Sequence, residues 1–343
     1  MLKSQTLLQR YALREYKGEV GIEIEMEGEF LSPPVGRWGS KPDGSLRAGG
    51  VEYVTKGPIN KEDIAPALVQ LWEAFRNANS VLNPSDRCGV HVHLNCQNYN
   101  FEEIWRIVTV SLMLEDILLE FCGETRNGNL FCLGTKDANG LLLQLVRDRE
   151  AGGRFETLQS ATHFRYGFIN FCVLPTYGSL EYRSLQTEKE FDNILTWTEM
   201  LLAIRDYALS HDPLFGVMAN ISMYGIDNFL LDIFGKKNAE ILKKANSHYA
   251  RIILDNIRRI QVLVYSEIKD KKQKTKNDSR SDQTTRLISL ETAAYLARTR
   301  SSTVSGTGTI PVSAAHDPEA DEEEEYLQSL ELYEDGEEDD GTF

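Results

Sequence analysis

The alternating charge of residues 21–29 is the sequence feature that most restricts how this chain can fold. Apolar and acidic side chains alternate along this segment: Ile22, Glu23, Ile24, Glu25, Met26 and Glu27. Because successive side chains of a β-strand point to opposite faces, a strand here has one apolar face and one face with three carboxylates. Like charges on one face repel each other, and no cation occurs within the run. The segment is therefore predicted to be a strand whose carboxylates either face solvent or share a site that receives its cations from elsewhere.

The size and composition of the chain are those of a globular protein. Its 343 residues, 41% of them hydrophobic, are enough for one large domain or two ordinary ones. No apolar run reaches the roughly 18 residues that a membrane span needs, and residues 1–5 lack the apolar segment of a signal peptide. The five cysteines are an odd number without CxxC spacing, which favours reduced thiols. We therefore expect a cytoplasmic protein with no membrane partner.

The net charge of −15 comes from the C-terminal end of the chain. Residues 317–343 contain 14 Asp or Glu and no Lys or Arg, which leaves 38 acidic against 37 basic residues in the rest. Repulsion of nucleic acid is therefore expected of this tail alone. Within the tail, the apolar residues 326–333 are a candidate docking segment for a protein partner, and a solvated tail is the alternative.

The order of predicted elements indicates an α+β domain. Strands are predicted at 50–55, 88–94, 166–173 and 179–185, in addition to the acidic strand. Helices are predicted at 5–17, 61–79, 101–122, 141–149, 191–209, 226–234, 238–245 and 248–268. Strands that are interrupted and then followed by helices favour an antiparallel or mixed sheet. We therefore expect a domain over 1–268, a polar linker over 269–316 with a short helix at 287–298, and a disordered acidic tail over 317–343.

Three further strands also have polar faces. His91 and His93 share one face of their strand, Glu181 and Arg183 share a face of theirs, and Glu52 lies on the strand at 50–55. A His-x-His or Glu-x-Arg pair taken singly is more often structural or a surface ion pair. Taken together, carboxylates with one or two imidazoles suit Mg²⁺ or Mn²⁺ better than zinc. Such a site would leave positions open for phosphate oxygens, beside an arginine that can stabilise a transferring phosphoryl group.

The ordered set of these segments resembles the putative amidoligases, which belong with glutamine synthetase and glutamate-cysteine ligase among the carboxylate-amine ligases. The matching segments are residues 21–25, 43–46 with Glu52, 88–94, 165–170 and 178–185. The resemblance implies a glutamine-synthetase-like curved antiparallel sheet with packed helices, built around an ATP site with Mg²⁺ (or Mn²⁺).

The resemblance also implies roles for individual residues. The implied metal ligands are Glu23, Glu25, Glu52, His91 and Glu181. The implied nucleotide contacts are His91, His93, Arg183 and Asn170, and the implied catalytic residues are Arg183, Glu181 and Arg165. Asp43 would be a metal or amine-side residue. Glu27 has no counterpart and is expected at the solvated end of its strand, and the loop 123–128 with Arg126 is a candidate lid.

The function implied is ATP-dependent amide formation from a carboxylate and an amine through an acyl phosphate. The substrates would be small molecules or peptides, and the oligomeric state, including a homo-oligomer, is left open. Two alternatives remain. A carboxylate and histidine cluster also serves a divalent-metal phosphohydrolase or nuclease, and a non-catalytic interaction protein could act through the acidic tail.

Overall fold

The computed structural model describes residues 5–47, 49–126, 128–130, 132–138, 140–188, 191–211, 214–261 and 263. All of them lie in the compact unit Met1–Ala293, and the second unit, Ala294–Phe343, contains no described residue. The linker 269–316, its short helix, the acidic tail and the candidate docking segment 326–333 therefore lie outside the described residues. The division into three segments stays a prediction.

The described strands form one large sheet and one small one. Their bounds are β1 Val20–Met26, β2 Gly28–Glu29, β3 Trp38–Lys41, β4 Val51–Thr55, β5 Val81–Leu82, β6 Gly89–Asn95, β7 Ile169–Asn170 and β8 Ser179–Gln186. The large sheet has the order β3-β4-β1-β6-β8-β7, and β2 pairs with β5. Every pair of neighbouring strands is antiparallel. The prediction of an α+β fold with a mainly antiparallel sheet is confirmed.

Nine α-helices accompany these sheets in the described part of the chain. They are α1 Leu7–Tyr11, α2 Lys61–Asn77, α3 Phe101–Phe121, α4 Leu141–Glu150, α5 Glu156–Ser160, α6 Leu174–Tyr177, α7 Asp192–Ser210, α8 Leu214–Ala245 and α9 Tyr249–Arg259. Short 3₁₀ helices occupy Glu124–Arg126 and Thr162–Tyr166. Gly225 and Gly235 interrupt α8 with non-helical backbone, which separates the two runs predicted as distinct helices. No helix among the described residues has the length and apolar character that crossing a membrane requires.

The apolar face of the large sheet packs against helices. Ile22 and Ile24 of β1 are fully buried on this face, as the alternating pattern predicts. Helix α3 lies against β8, where Ser111 Oγ and Tyr182 OH share a hydrogen bond of 2.7 Å. Helix α7 contacts β6. Burying one face under helices leaves the polar face of the sheet free to form a site.

The long helix α3 begins where the sequence predicts. The Asn100 side chain accepts hydrogen bonds from the backbone N–H groups of Glu102 and Glu103, at 2.9 and 3.1 Å. The Glu103 carboxylate accepts in return from the Asn100 N–H at 2.7 Å. This reciprocal capping satisfies N–H groups that the first turn of a helix leaves without partners.

The observed elements differ from the predicted ones in several places. The helix expected over 5–17 is only α1, because Ala12 adopts a left-handed conformation at its end (φ 49°). The strand expected over 166–173 is only β7, because the Asn170 side chain accepts a hydrogen bond from the Cys172 N–H and the chain turns there. Strand β3 is not among the predicted strands, and buried Trp38 anchors it by donating from Nε1 to the Ala67 carbonyl at 2.8 Å.

Candidate active site

The register of the large sheet brings the predicted polar faces together. Residues directly opposite each other on antiparallel strands share a face. The opposed pairs are Glu25 and Glu52, Glu23 and His91, His93 and Glu181, and Asn170 and Glu181. A continuous row of carboxylates and imidazoles therefore runs across β4, β1, β6, β8 and β7.

These side chains line one cleft of about 430 Å³, which we call the acidic cleft. The predicted site residues that line it are Glu23, Asp43, Glu52, His91, His93, Arg165, Asn170, Glu181 and Arg183. Glu25 is not among the lining residues, but its Oε1 lies 3.7 Å from His91 Nε2. The structure thus places all ten predicted residues at one location.

His91 is at the centre of the carboxylate cluster. Its Nδ1 lies 3.3 Å from Glu23 Oε2 and 3.5 Å from Glu181 Oε1, while Nε2 faces Glu25. Only 4% of the His91 side chain is exposed. Glu25 is fixed separately, since its Oε2 accepts a hydrogen bond from the Gly89 N–H at 2.6 Å. One buried imidazole therefore joins carboxylates from two neighbouring strands.

Three groups of side chains each bring their potential metal-ligating atoms within 4.8 Å of one another. The groups are Glu23 with Glu52 and His91, Glu23 with His93 and Glu181, and Glu25 with Asp43 and Glu52. Each group is dominated by carboxylate oxygens, which hard cations such as Mg²⁺ prefer, and thiolates are absent from all three. Glu23 and Glu52 belong to two groups each, so the donor set fits more than one divalent cation held by shared carboxylates.

Burial and mutual repulsion perturb these carboxyl groups in different directions. Burial and the neighbouring charge of Glu23 raise the pKa of Glu52 to about 8. Burial also raises the pKa of Glu25. Burial opposes ionisation of Glu23 as well, but hydrogen bonds with His91 and His93 outweigh it and lower the pKa of that carboxyl. Carboxylates crowded in this way favour the binding of additional positive charge.

Both carboxylate oxygens of Glu181 are engaged. Arg183 Nη1 donates to its Oε1, and Asn170 Nδ2 donates to its Oε2 at 2.6 Å. Burial opposes ionisation of Glu181, but the charges of Arg183, His93 and His91 outweigh it and lower the pKa of the carboxyl. Glu181 therefore stays ionised and orients the guanidinium beside it.

A β-bulge lies in β8 beside Arg183, which lines the acidic cleft. The register of β6 and β8 shifts between Val90 and Val92. One residue of β6, His91, therefore faces two residues of β8, Arg183 and Ser184. Bulges of this kind redirect a side chain at the point of the extra residue. Alternation from Glu181 places Arg183 on the polar face, and the extra residue returns Leu185 to the apolar face, opposite Val90.

Lys41 is a site residue that the sequence interpretation missed. Its Nζ lies 3.2 Å from Glu23 Oε1 and 3.2 Å from Glu52 Oε2. It was missed because no strand is predicted at residues 38–41, which lie among several Gly and Pro residues. The residues that reveal it are Trp38 and the alternating pattern that follows, since the resulting strand pairs Lys41 directly with Glu52. Lys41 therefore partly neutralises the cluster.

Two expectations about residues near the cluster are wrong. Glu27 is 5% exposed, because its carboxylate accepts a hydrogen bond from the Arg47 N–H at 2.7 Å and holds the loop between β3 and β4. Arg126 is 1% exposed and donates to the carbonyls of Arg183 and Ser184, at 2.8 and 3.1 Å. These bonds make Arg126 a support for β8, so it is not free to act in a lid.

The remaining predicted residues, Arg165 and Asp43, also line the acidic cleft. Arg165 is exposed on its 3₁₀ helix, with its guanidinium 5.2 Å from the centre of the Tyr166 ring. Asp43 accepts a hydrogen bond from the Ser45 N–H at 2.7 Å, as a turn residue does, and also belongs to one of the metal-ligating groups.

All five cysteines are free thiols, as expected.

Comparison with solved structures shows a distant similarity. A bifunctional glutathione synthetase from Pasteurella multocida has 12% sequence identity, with 82% of this chain and 52% of that chain covered and a TM-score of 0.36. The chain thus spans about half the length of that protein, and the similarity is too low to indicate a shared fold. No curated protein sequence matches the chain.

Comparison with protein families gives a match to the model described as "Putative amidoligase enzyme", over residues 49–205. The matched segment runs from the residues before β4 into α7. It contains most of the acidic cleft, from Glu52 to Arg183, while Glu23, Glu25 and Asp43 precede it. The description of the family supports an enzyme with a ligase-type function. Residues 49–205, a little less than half of the chain, are therefore similar to the family of putative amidoligase enzymes.

Proposed function

We propose that the protein is an ATP-dependent carboxylate-amine ligase that forms an amide bond through an acyl-phosphate intermediate. The observation that carries the proposal is the meeting of the carboxylate and imidazole row with Arg183 and Arg165 in one cleft. Phosphoryl transfer needs charge neutralisation and positioning rather than covalent help from the protein. The family match over residues 49–205 supports a ligase-type function.

The cluster would hold Mg²⁺ through Glu23, Glu25, Glu52, His91 and Glu181. When bound, the metal would neutralise the phosphate oxygens of ATP and complement the excess negative charge of the cluster. Lys41 Nζ, now placed between Glu23 and Glu52, would then be available to an anionic ligand. The antiparallel sheet that carries these residues supports the proposal that its architecture is glutamine-synthetase-like.

The chain's own residues would act on the transferring phosphoryl group. An oxygen of the substrate carboxylate attacks the γ-phosphorus of ATP, the bond to the bridging oxygen breaks, and ADP leaves. Arg183, oriented by Glu181, would stabilise the charge of the group in transfer. Arg165 would contact the acyl phosphate, and His91, His93 and Asn170 would face the nucleotide phosphates. The amine nitrogen then attacks the acyl carbon, phosphate leaves, and a proton is lost as the amide forms.

The test is the formation of ADP in the presence of Mg²⁺ and a panel of amino acids and dipeptides, offered as carboxylate and amine, with amides detected by mass spectrometry. A ligase forms ADP, phosphate and amide in equal amounts, and only when both substrates are present. Glu181→Gln should abolish this activity, because the amide is neutral and no longer holds Arg183 by an ion pair. Glu73→Gln, an exposed change on α2, is the matched control.

Two results would contradict the proposal. Full activity in Glu181→Gln would exclude the assigned site, and phosphate release from ATP without an amine would favour a phosphohydrolase. Deletion of residues 317–343 distinguishes a ligase from an interaction protein that acts through its tail. A ligase keeps its turnover without the tail, whereas a protein that acts through the tail loses its binding partner.

A further inference from the structure

Glu115 is a fully buried carboxylate of α3 that the proposed function does not use. Burial of an ionised carboxylate is costly unless hydrogen bonds and an opposite charge compensate for it. Both are present here. The Thr135 N–H donates to Glu115 Oε1 at 2.9 Å, and Thr135 Oγ1 donates to Oε2. Arg259 Nη2 of α9 lies 3.2 Å from the same Oε2. Glu115 therefore joins α3 to α9 and to the loop that contains Thr135.

This loop, residues 132–138, is fixed to α3 at two consecutive positions. We call it the Thr135 loop. Beside the bonds between Thr135 and Glu115, Lys136 Nζ lies 2.5 Å from Asp116 Oδ2. The loop turns at Gly134, whose carbonyl accepts hydrogen bonds from the N–H groups of residues 137 and 138, at 3.0 and 2.9 Å. The side chains of α3 therefore set the position of the loop.

The Thr135 loop in turn holds the segment that carries Arg165. The Leu133 N–H donates to the Tyr166 carbonyl at 2.7 Å, and the Phe168 N–H donates to the Leu133 carbonyl at 2.8 Å. These two bonds form an isolated parallel bridge between Leu133 and Gly167. Arg165 directly precedes the bridged residues. A shift of the loop relative to α3 is therefore transmitted to Arg165 through two backbone hydrogen bonds.

Arg165 depends on this support more than its neighbours in the acidic cleft do. Asn170 lies in β7, which pairs with β8, and its side chain donates to Glu181. Arg183 is fixed by its ion pair with Glu181. Among the described residues, no carboxylate pairs with Arg165, whose guanidinium lies over the neighbouring Tyr166 ring. The position of Arg165 at the cleft therefore follows from the position of its backbone.

We infer that Glu115 is a positioning residue, which holds Arg165 at the acidic cleft through the Thr135 loop. The inference rests on the proposed function, in which Arg165 contacts the acyl phosphate. Glu115 is not among the residues that line the cleft, so it acts through Arg165. The acyl phosphate forms only after ATP and the carboxylate have bound. Loss of Glu115 should therefore lower turnover more than it weakens substrate binding.

The kinetic experiment is a double-substitution cycle on Glu115 and Arg165 at about pH 8. At this pH, above the pKa of about 7 of the Glu115 carboxyl, both of its oxygens can accept from Thr135. Glu115→Gln keeps the shape of the side chain, but its amide nitrogen cannot accept the second of these bonds. This variant should lower kcat by about tenfold or more, with a nearly unchanged KM for ATP. In an Arg165→Ala background, the same substitution should lower kcat no further.

Matched variants accompany the cycle. Glu120→Gln removes an exposed charge from the same helix and should leave kcat unchanged. Thr135→Val removes the hydroxyl donor and keeps the shape of the side chain, so it should reproduce the loss of turnover even if Glu115→Gln fails to fold. Thr135→Ser keeps the donor and should behave as the unmodified protein does.

Hydrogen exchange, followed by mass spectrometry, adds a readout that does not require turnover. Exchange of the backbone N–H groups in residues 162–168 should be about tenfold faster in Glu115→Gln, because a hydrogen bond to a charged group is lost. Exchange in α7 should stay unchanged. An effect confined to the Arg165 segment and the Thr135 loop distinguishes positioning from a general loss of stability.

The outcomes separate the inference from the function on which it rests. Additive losses of kcat in the double variant, or unchanged exchange of residues 162–168 in Glu115→Gln, overturn the inference and leave the ligase proposal standing. Absence of ligase activity in the unmodified protein overturns the proposed function and, with it, the role of Arg165 in turnover. Faster exchange in Glu115→Gln would then still support the link between Glu115 and the Arg165 segment.

Discussion

Replacing Glu52 by Gln should stabilise the metal-free protein and remove much of its response to Mg²⁺. The carboxylate of Glu52 is buried, with 5% of the residue exposed. It belongs to two groups whose ligating atoms lie within 4.8 Å of one another, one with Glu23 and one with Glu25. Gln has nearly the same shape, and its amide oxygen can still accept a hydrogen bond from Lys41. At about pH 9, above the pKa of about 8 of the Glu52 carboxyl, the substitution therefore removes a charge and little else.

The size of the effect follows from these distances. Two unit charges 4.8 Å apart repel by about 3 kcal/mol at an effective dielectric constant of about 20. Glu52 has two such neighbours on β1, Glu23 and Glu25, while its attraction to Lys41 Nζ at 3.2 Å is worth about 5 kcal/mol on the same basis. Because Lys41 is half exposed and solvent screens it, the net repulsion removed by the substitution is about 2 kcal/mol. Bound Mg²⁺ reverses the effect of the substitution on stability, since the cation attracts every carboxylate of the cluster.

The measurement is urea unfolding with and without magnesium chloride. Without the metal, Glu52→Gln should raise the free energy of unfolding by about 2 kcal/mol. Saturating Mg²⁺ should stabilise the unmodified protein by about 3 kcal/mol at a hundred times the dissociation constant, and the variant by less. Glu73→Gln should leave both quantities unchanged. A variant that is less stable than the unmodified protein without metal, or one with an undiminished Mg²⁺ response, would refute this reasoning.

Three further predictions concern residues outside the acidic cleft. Burial raises the pKa of Glu115 from 4.5 to about 7, so the folded state loses up to about 3 kcal/mol of stability as pH rises through this range. Glu115→Gln should not show this pH-dependent loss, and the test is the difference in unfolding free energy between the variant and the unmodified protein from pH 5 to 8. A difference that stays constant with pH would contradict the prediction. Trp38→Ala should destabilise the fold by about 3–5 kcal/mol in urea unfolding, because it removes a fully buried ring that holds β3; a loss below about 1 kcal/mol would show that β3 is not anchored there. Arg126→Met should lower ligase turnover more than substrate affinity, because the substitution removes the hydrogen bond of 2.8 Å that Arg126 donates to the Arg183 carbonyl. Unchanged turnover would show that β8 keeps its shape without the Arg126 side chain.

Local sequence patterns were sufficient to predict most elements that carry the site. The period of two in β1 and β6 depends only on neighbouring residues, so it identified the faces of Glu23 and His91 without knowledge of their partners. The Asn100 cap is equally local, and it fixed the start of α3. The same reasoning failed at β3, where a strand of four residues among Gly and Pro is too short to show a period.

Which polar residues meet was decided by the tertiary structure. The sequence assigned three carboxylates of one strand to one face, but their environments depend on contacts distant in the chain. Glu23 and Glu25 meet His91 across the sheet, whereas Glu27 is buried because the Arg47 N–H donates to it. Lys41 reaches the cluster only through its register with β4. Alternation is a property of one strand and can be predicted from the sequence, but register, the bulge in β8 and the burial of charge arise between strands and require the fold.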